Sequence, residues 1–318
     1  MNRNIILEDL NKIVSADLPW EEFNDSTFLI SGANGFLPAY MVETLLYLNT
    51  TRNLNIKVVG LVRNKEKALA KFSHHKECED LTFLVQDVCD PINYHGKLHY
   101  IIHAASQASP KYYGKDPVGT LSANIIGTHN LLKLAREKDV RAFLFFSSGE
   151  VYGEVPVSQI PTKEHNYGYL DPTNVRSCYA ESKRMGETMC ISWFHQYLVA
   201  TKIVRPFHTY GPGMSLDDGR VYADFIADIL NNRDIVMRSD GSAIRAFCYL
   251  SDAIKGFLTV IMKGKSGQAY NVGNDKNEVN ILDLANRVIN LFPEKSLKII
   301  KQEVNNQSGY LKSPISRN

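Results

Sequence analysis

Thr27-Phe-Leu-Ile-Ser31-Gly32-Ala-Asn34-Gly35-Phe36-Leu37-Pro38 is the stretch from which the fold of this chain is read. Its first five residues are β-branched and aromatic enough for a short buried strand, and an amphipathic helix is expected afterwards, to about Leu48. Glycines directly after a strand and before a helix permit a tight turn. They also let backbone amides approach a pyrophosphate at the helix N-terminus. Gly32, Asn34, Gly35, Phe36 and Leu37 are therefore the first candidate contacts to a dinucleotide. Pro38 fits the first turn of the helix without losing a needed hydrogen bond.

Further along, strands and helices alternate. Lys57-Val-Val-Gly-Leu-Val reads as a second strand and ends in Arg63-Asn-Lys65. A site for NAD usually ends this strand with an acid that accepts from the adenosine 2′-hydroxyl. Here a guanidinium stands in that place, suited to bidentate contact with a 2′-phosphate. Arg63 thus favours NADP(H), with NAD(H) still possible. Leu81-Thr-Phe-Leu-Val-Gln86 leads into Asp87-Val88. Tyr100-Ile-Ile-His103 ends in the small residues Ala104 and Ala105, which would let a cofactor lie close. A long helix is expected from Pro117 to Lys138. A fifth strand, Ala142-Phe-Leu-Phe-Phe146, delivers Ser147 and Ser148. This alternation reads as a doubly wound parallel sheet whose ligands gather at the strand C-terminal ends.

Ser177-Cys-Tyr179-Ala-Glu-Ser-Lys183 carries the chemistry. If helical, it sets Tyr179 and Lys183 on one face. An ammonium beside a phenol is expected to lower the phenol's pKa towards neutrality, and a serine hydroxyl aimed at the same spot can hydrogen-bond a carbonyl or alkoxide oxygen. Tyr179, Lys183 and Ser148 would then move a hydride and a proton between a carbinol and a ketone.

Composition narrows the remaining classes. The chain has 318 residues, 44% of them hydrophobic, enough for one large α/β domain with a smaller companion. A formal net charge of +2 gives no case for nucleic acid or a membrane surface, and the short apolar runs predict no transmembrane helix. Five cysteines without a C-x-x-C pair, and nine scattered histidines without H-x-H, suggest neither a disulfide framework nor a metal site. Acidic residues near the N-terminus argue against a secretion signal, so a cytoplasmic protein is expected. Residues 1–25 read as a leader helix with Ile6, Leu10, Ile13 and Val14 on one face, docking either on its own domain or on a partner subunit.

The glycine spacing resembles the extended branch of the short-chain dehydrogenases/reductases. From Arg205-Pro-Phe-His208 to Tyr270-Asn-Val-Gly273 the order of motifs resembles the nucleotide-sugar epimerase/dehydratase family. The pattern is most similar to the UDP-glucuronate decarboxylases in Ala105-Ser106-Gln-Ala-Ser-Pro110, Ser148-Gly-Glu150-Val-Tyr-Gly153 and Asp218-Gly-Arg220. That resemblance implies a Rossmann-type domain at 26–206 and a mainly substrate-binding region at 207–318, the two interleaved. It implies a homodimer through the helices near 117–138 and 176–199. It also places Asp87 and Val88 at the adenine and Asn124 with the cofactor set. Ser106, His208, Arg220 and Arg245 go with the nucleotide-sugar substrate, and Glu150 with the sugar or with proton transfer. No metal is implied.

Four departures from the family pattern shape the functional expectation. Gly149 stands where 4,6-dehydratases carry Asp, which disfavours dehydration. His208 replaces an asparagine. Arg63 suits NADP(H). The Arg-rich stretch and final helix expected beyond residue 300 are shortened to an end at Asn318, with Arg317 as its one remnant. Of these, Arg63 tips the expectation to a reductase of a 4-keto-6-deoxy nucleotide sugar, such as dTDP-4-dehydro-6-deoxyglucose, giving a donor such as dTDP-fucose for surface polysaccharide. The alternatives are a decarboxylase-like or 4-epimerase enzyme that recycles its NAD, and a non-catalytic dinucleotide sensor. The intact Ser-Tyr-Lys set argues against the sensor.

Overall fold

The structure, a computed structural model, describes residues 3–237, 239–276 and 278–302. Helix α1 (Arg3–Val14) comes first. Then follow β1 (Thr27–Ser31), α2 (Phe36–Arg52), β2 (Lys57–Val62), α3 (Lys65–Lys71), β3 (Leu81–Val85), β4 (Tyr100–His103), α4 (Pro117–Glu137), β5 (Ala142–Phe146), α5 (Cys178–Tyr197) and β6 (Thr201–Pro206). The chain continues through β7 (Thr209–Tyr210), α6 (Val221–Leu230), β8 (Ile235–Met237), β9 (Ile244–Ala246), β10 (Cys248–Tyr249) and α7 (Leu250–Lys263). It closes with β11 (Gln268–Val272), β12 (Glu278–Asn280), α8 (Ile281–Ile289) and β13 (Ile299–Lys301).

Seven strands form one parallel sheet in the order β11-β6-β5-β4-β1-β2-β3. Helices cover both faces, so strands such as β5 read as continuous apolar runs rather than alternating ones. Alternation persists in where the side chains go. Leu144 and Phe146 join the core under α2 and α7, whereas Phe143 and Phe145 join the core under α4 and α5. β1 lies between β2 and β4, so successive crossovers leave it in opposite directions. A crevice opens there at the strand C-terminal ends.

Helix α2 differs from expectation. Rather than showing one apolar stripe, it is buried along Pro38–Val42 and again at Thr44, Leu45, Leu46 and Leu48. The reason is that it is covered on its outer side as well. α1 lays Leu10, Ile13 and Val14 into the same core, and α7 adds Ile254, Phe257 and Leu258. Of the two docking options left open for the leader helix, the structure has the one on its own chain. There the buried carboxylate of Asp9 accepts from the Tyr249 hydroxyl at 3.0 Å.

Beyond residue 207 the chain serves two bodies of structure. α6, α8, β8, β9 and β12 enclose a separate small core of Phe225, Ile229, Phe247, Val279 and Leu284. α7 and β11 instead return to the main sheet, β11 pairing in parallel with β6. No described helix is long and apolar enough to cross a membrane. Arg317 lies outside the described residues.

Candidate active site

The crevice at β1 and β4 broadens into a cleft of about 2080 Å³ that runs from Arg63 to the small C-terminal core. Gly32 is what lets it form. Its φ is +67°, and a Cβ there would stand 2.9 Å from the Cα of Ala105, so only glycine lets the turn after β1 approach the end of β4. Ser31 locks the same corner. Its hydroxyl accepts from the amides of Ala104 and Ala105, both at 3.1 Å, so its own proton goes to His103 Nδ1 at 2.8 Å. His103 is buried in this bond, and burial with the nearby Lys183 charge pushes its pKa down to about 3. It is a neutral structural residue.

α2 starts at Gly35 with no side-chain cap over its first turn, and Asn34, Phe36 and Leu37 line the cleft beside it. A glycine cradle at an uncapped helix N-terminus fits a dinucleotide pyrophosphate. Asp87, Val88, Ala104 and Ala105 continue the wall. Asn124 does not. It is fully buried behind α5, donating to Ser182 Oγ at 2.9 Å, because α4 packs directly on α5 at this level. There it fixes the helix carrying Tyr179 and Lys183.

At the other end of β2, Arg63 lines the cleft but is not an isolated cation. Its guanidinium stands 3.8 Å from the Asp87 carboxylate, with 69% and 39% of the two side chains exposed. Two residues expected to serve the adenosine separately are thus an ion pair.

Ser148, Glu150, Tyr179 and Lys183 meet where β5 ends against the start of α5, and all four line the cleft. Gly186 brings that helix in, since a Cβ there would collide with the Phe145 ring at 2.3 Å. Ser148 hydrogen-bonds Tyr179 and also accepts from the Glu150 amide at 3.2 Å. The expected acidic phenol is not what the structure gives. Tyr179 is buried, and burial raises its pKa; Ser148 and the Arg220 charge work in the opposite sense, and Glu150 adds to the rise. Lys183 is equally buried, 5.7 Å from the Tyr179 ring centroid, and donates to the Phe146 carbonyl at 2.6 Å. Burial pushes its own pKa down to about 7. Desolvation penalises both charged forms, and Lys183 is not among the groups that lower the phenol.

The substrate candidates Ser106, His208, Arg220 and Arg245 line the same cleft. The Ser106 hydroxyl and His208 Nδ1 are buried without a protein partner. Burial, Arg245 and Arg220 together push His208 down to about 3, so it is a neutral imidazole that feels two guanidinium charges. Arg220 pairs with Asp218 at 3.2 Å and donates to the Ala108 carbonyl at 3.1 Å; Arg245 donates to its neighbouring Ile244 carbonyl at 2.8 Å.

Sequence reasoning passed over two groups here. Tyr113 stacks on Tyr179 with ring centroids 4.9 Å apart, backed by Arg176; no spacing rule relates them. Glu187, one turn beyond Lys183, accepts from Ser147 Oγ at 2.5 Å and from two nitrogens of Arg205 at 2.6 and 2.8 Å. That position was readable, since it continues the Tyr179–Lys183 face by four residues. Arg205 in turn reaches the Tyr152 and Tyr167 hydroxyls, which ties the end of β5, α5 and β6 into one buried network.

Residues 28–273 match the NAD dependent epimerase/dehydratase family. UDP-glucuronic acid decarboxylase 6 of Arabidopsis thaliana is 34% identical over 274 residues, 86% of this chain and 76% of that protein. Among solved structures, UDP-glucose 4-epimerase from Thermotoga maritima superposes with a TM-score of 0.77 at 20% identity, covering 91% of this chain and 89% of that one. UDP-glucuronic acid 4-epimerase from Bacillus cereus, solved with UDP-glucuronic acid and NAD, gives 0.73 at 21% identity, covering 91% and 88%. These two share the fold. On the extent of the family match and the 34% identity, this chain belongs to the NAD-dependent epimerase/dehydratase family of nucleotide-sugar-modifying enzymes, in the extended branch of the short-chain dehydrogenases/reductases.

Proposed function

We propose that this protein transfers a hydride at C4 of a nucleotide-sugar, with a nicotinamide dinucleotide bound along β1, β2 and β4. The observation that carries this is the convergence of Ser148, Tyr179 and Lys183 with Arg220, Arg245 and a neutral His208 in one cleft. The dinucleotide supplies or accepts the hydride. Tyr179 exchanges the proton at the C4 oxygen, giving it as the phenol when a C4 ketone is reduced and taking it as the phenolate when a C4 hydroxyl is oxidised, and Ser148 hydrogen-bonds that oxygen. Lys183 orients the nicotinamide ribose. Its depressed pKa lets it gain or lose a proton near neutrality and so steady the phenol as it gives its own away. Glu150 hydrogen-bonds the sugar or relays the proton. Arg220 and Arg245 take the diphosphate.

The relatives favour a redox-neutral version of this chemistry. UDP-glucuronate would be oxidised at C4, the resulting β-keto acid would lose carbon dioxide, and the hydride would return to C4. A second reading rests on Arg63, which lines the cleft where an NAD site ordinarily has an acid. A guanidinium there suits NADP(H), and a cofactor kept reduced suits net reduction of a 4-keto-6-deoxy sugar such as dTDP-4-dehydro-6-deoxyglucose to a dTDP-6-deoxyhexose. The non-catalytic sensor has no comparable support, since a sensor has no use for a buried proton donor.

One experiment separates the two chemistries. The protein is given UDP-glucuronate without added reductant, and carbon dioxide release is measured. In parallel it is given dTDP-4-dehydro-6-deoxyglucose with NADPH or NADH, and loss of the reduced nicotinamide absorbance is followed. Carbon dioxide establishes the decarboxylase. Stoichiometric loss of NADPH establishes the reductase. Silence in both, with dinucleotide binding retained, would remove both substrates. A homodimer through α4 and α5 belongs to the same proposal, supported by the exposed Ile126, Met185 and Ile191 on that helix pair.

A further inference from the structure

Away from the cleft, one cluster of side chains has a chemistry that the proposed reaction does not use. Glu43 projects from the middle of α2. After α3 the chain makes a 3-10 turn at Ser73–His75 that brings two consecutive imidazoles back over it. His74 Nε2 stands 2.7 Å from one carboxylate oxygen and His75 Nε2 2.9 Å from the other. The three ligand atoms all lie within 4.8 Å of one another, the one such group of histidine, cysteine and acid side chains among the described residues.

The cluster is held from below. Phe72, just before the turn, is buried against the α2 core, the His75 amide donates to the Phe72 carbonyl at 2.8 Å, and the Cys78 amide donates to the His75 carbonyl at 2.9 Å. Burial opposes a charged Glu43, yet the hydrogen bonds and charges of His75 and His74 outweigh it and hold the carboxyl below its usual range. Glu43 is therefore a partly buried anion with an imidazole nitrogen on each side. Both imidazoles remain partly open to solvent, with 29% and 19% of their side chains exposed, so an ion has a way in.

We propose that Glu43, His74 and His75 form a binding site for a divalent transition-metal ion of the zinc type. Two imidazole nitrogens and one carboxylate oxygen are a ligand set for Zn²⁺, Ni²⁺ or Cu²⁺, and an unsuitable one for Mg²⁺ or Ca²⁺, which take oxygen ligands. Zinc bonds to nitrogen and oxygen at about 2.0–2.2 Å, which sets tetrahedral ligand atoms about 3.3–3.6 Å apart, so ligand atoms spaced like these need only small shifts to admit it. Each Nε2 gives up the proton it shares with the carboxylate, to solvent or to its own Nδ1, so binding exchanges the two hydrogen bonds for three metal bonds, with water in the fourth position. The neighbouring Lys71 ammonium interacts with Glu43, and its half-buried stem limits how far it can withdraw. The ion would tie α2, which starts at the pyrophosphate cradle, to the connection between α3 and β3. The role is structural, since none of the three residues lines the cleft.

The sequence hid this site because adjacent histidines form no ligand spacing, and their third partner lies 31 residues away. The test uses the full chain, stripped with chelator and titrated with Zn²⁺ and separately with Mg²⁺ by isothermal calorimetry at pH 7.5. One equivalent of Zn²⁺ with micromolar or tighter affinity is expected, no Mg²⁺ heat, and a rise in melting temperature that chelator reverses. Glu43→Gln, and separately His74→Ala with His75→Ala, should each weaken Zn²⁺ at least tenfold, circular dichroism reporting that both variants fold. Absence of a Zn²⁺ equivalent in the wild type would overturn the proposal, and so would an equivalent that survives in either folded variant.

Discussion

The two ends of the cleft are built on different principles. At the β5–α5 end, Ser148, Tyr179 and Lys183 rest on a buried helix start, and a fully buried Arg205–Glu187 pair lies behind them. At the β2 end, Arg63 and Asp87 face each other across 3.8 Å with both side chains substantially in solvent. The first arrangement makes charge states and proton positions a property of the fold, because desolvation dominates them. The second leaves them to solvent and ligand. On the proposed reading, the chemistry is held by the interior and the cofactor preference by the surface. The largest test of this contrast is Tyr179→Phe. It deletes only the phenol oxygen, which is the proposed proton donor, and should lower turnover by roughly a thousandfold, near the middle of the range for general acid-base groups. Dinucleotide affinity by fluorescence titration should be unchanged. Retained turnover would remove Tyr179 from the mechanism.

The interior's part in this contrast can be broken from behind. Glu187 neutralises Arg205, which has 1% of its side chain exposed, and holds Ser147 beside the serine of the site. Glu187→Ala leaves a buried guanidinium without its counter-charge and should cost about 3–5 kcal/mol in urea unfolding. Replacing both partners, Glu187→Met with Arg205→Met, should cost less than the single change, because the pair's desolvation disappears along with its attraction. A single variant within about 1 kcal/mol of wild type, well below that range, would mean that the pair is solvated in solution.

Lys183 sharpens the same point through pH. Its pKa falls from an ordinary value near 10.5 to about 7 because burial penalises the ammonium. Between those two values the unfolded chain binds the proton and the folded one does not, so this group makes stability rise with pH across that window. The gradient is at most about 1.4 kcal/mol per pH unit. Wild type should therefore gain about 2 kcal/mol relative to Lys183→Met between pH 7 and pH 9, read from unfolding curves at both pH values. A lysine held charged by a buried partner would show no such gain. Parallel pH profiles would therefore assign Lys183 the ammonium form.

What could be read in the chain follows the same division. The strand-glycine-helix corner was legible because Gly32 answers a backbone requirement, and backbone requirements leave residue-type signatures. The Tyr179–Lys183 face was legible because helical periodicity relates the two residues locally. The sign of the Tyr179 shift was not, since burial is a property of the packed whole: Phe145 meeting α5 at Gly186, and Tyr113 stacking from the loop before α4. The neighbour of Asn124 was not legible for a related reason. A mid-helix asparagine has no local mark of which neighbour it faces, and the packing of α4 on α5 gave it to Ser182. The covering of α2 by α7 required contacts between segments roughly two hundred residues apart, which no window of sequence contains.

The surface end gives the smallest effect and the finest discrimination. If Arg63 takes a 2′-phosphate, it must turn from Asp87 to do so, and the ion pair is a competitor of the ligand. An exposed pair at this distance is worth little, about 0–1 kcal/mol, whereas a charge-assisted hydrogen bond to phosphate is worth about 1.5–3 kcal/mol. The phosphate should therefore win when it is present, and Arg63 should return to Asp87 with NAD(H), whose 2′-hydroxyl offers it no anion. Arg63→Asp should then lower the ratio of NADPH to NADH affinity by roughly tenfold or more, and Asp87→Asn should raise it by a few-fold by removing the competitor. A ratio that responds to neither change would leave Arg63 as a partner of Asp87 alone, and with it would go the physical argument for a net reductase over a redox-neutral enzyme.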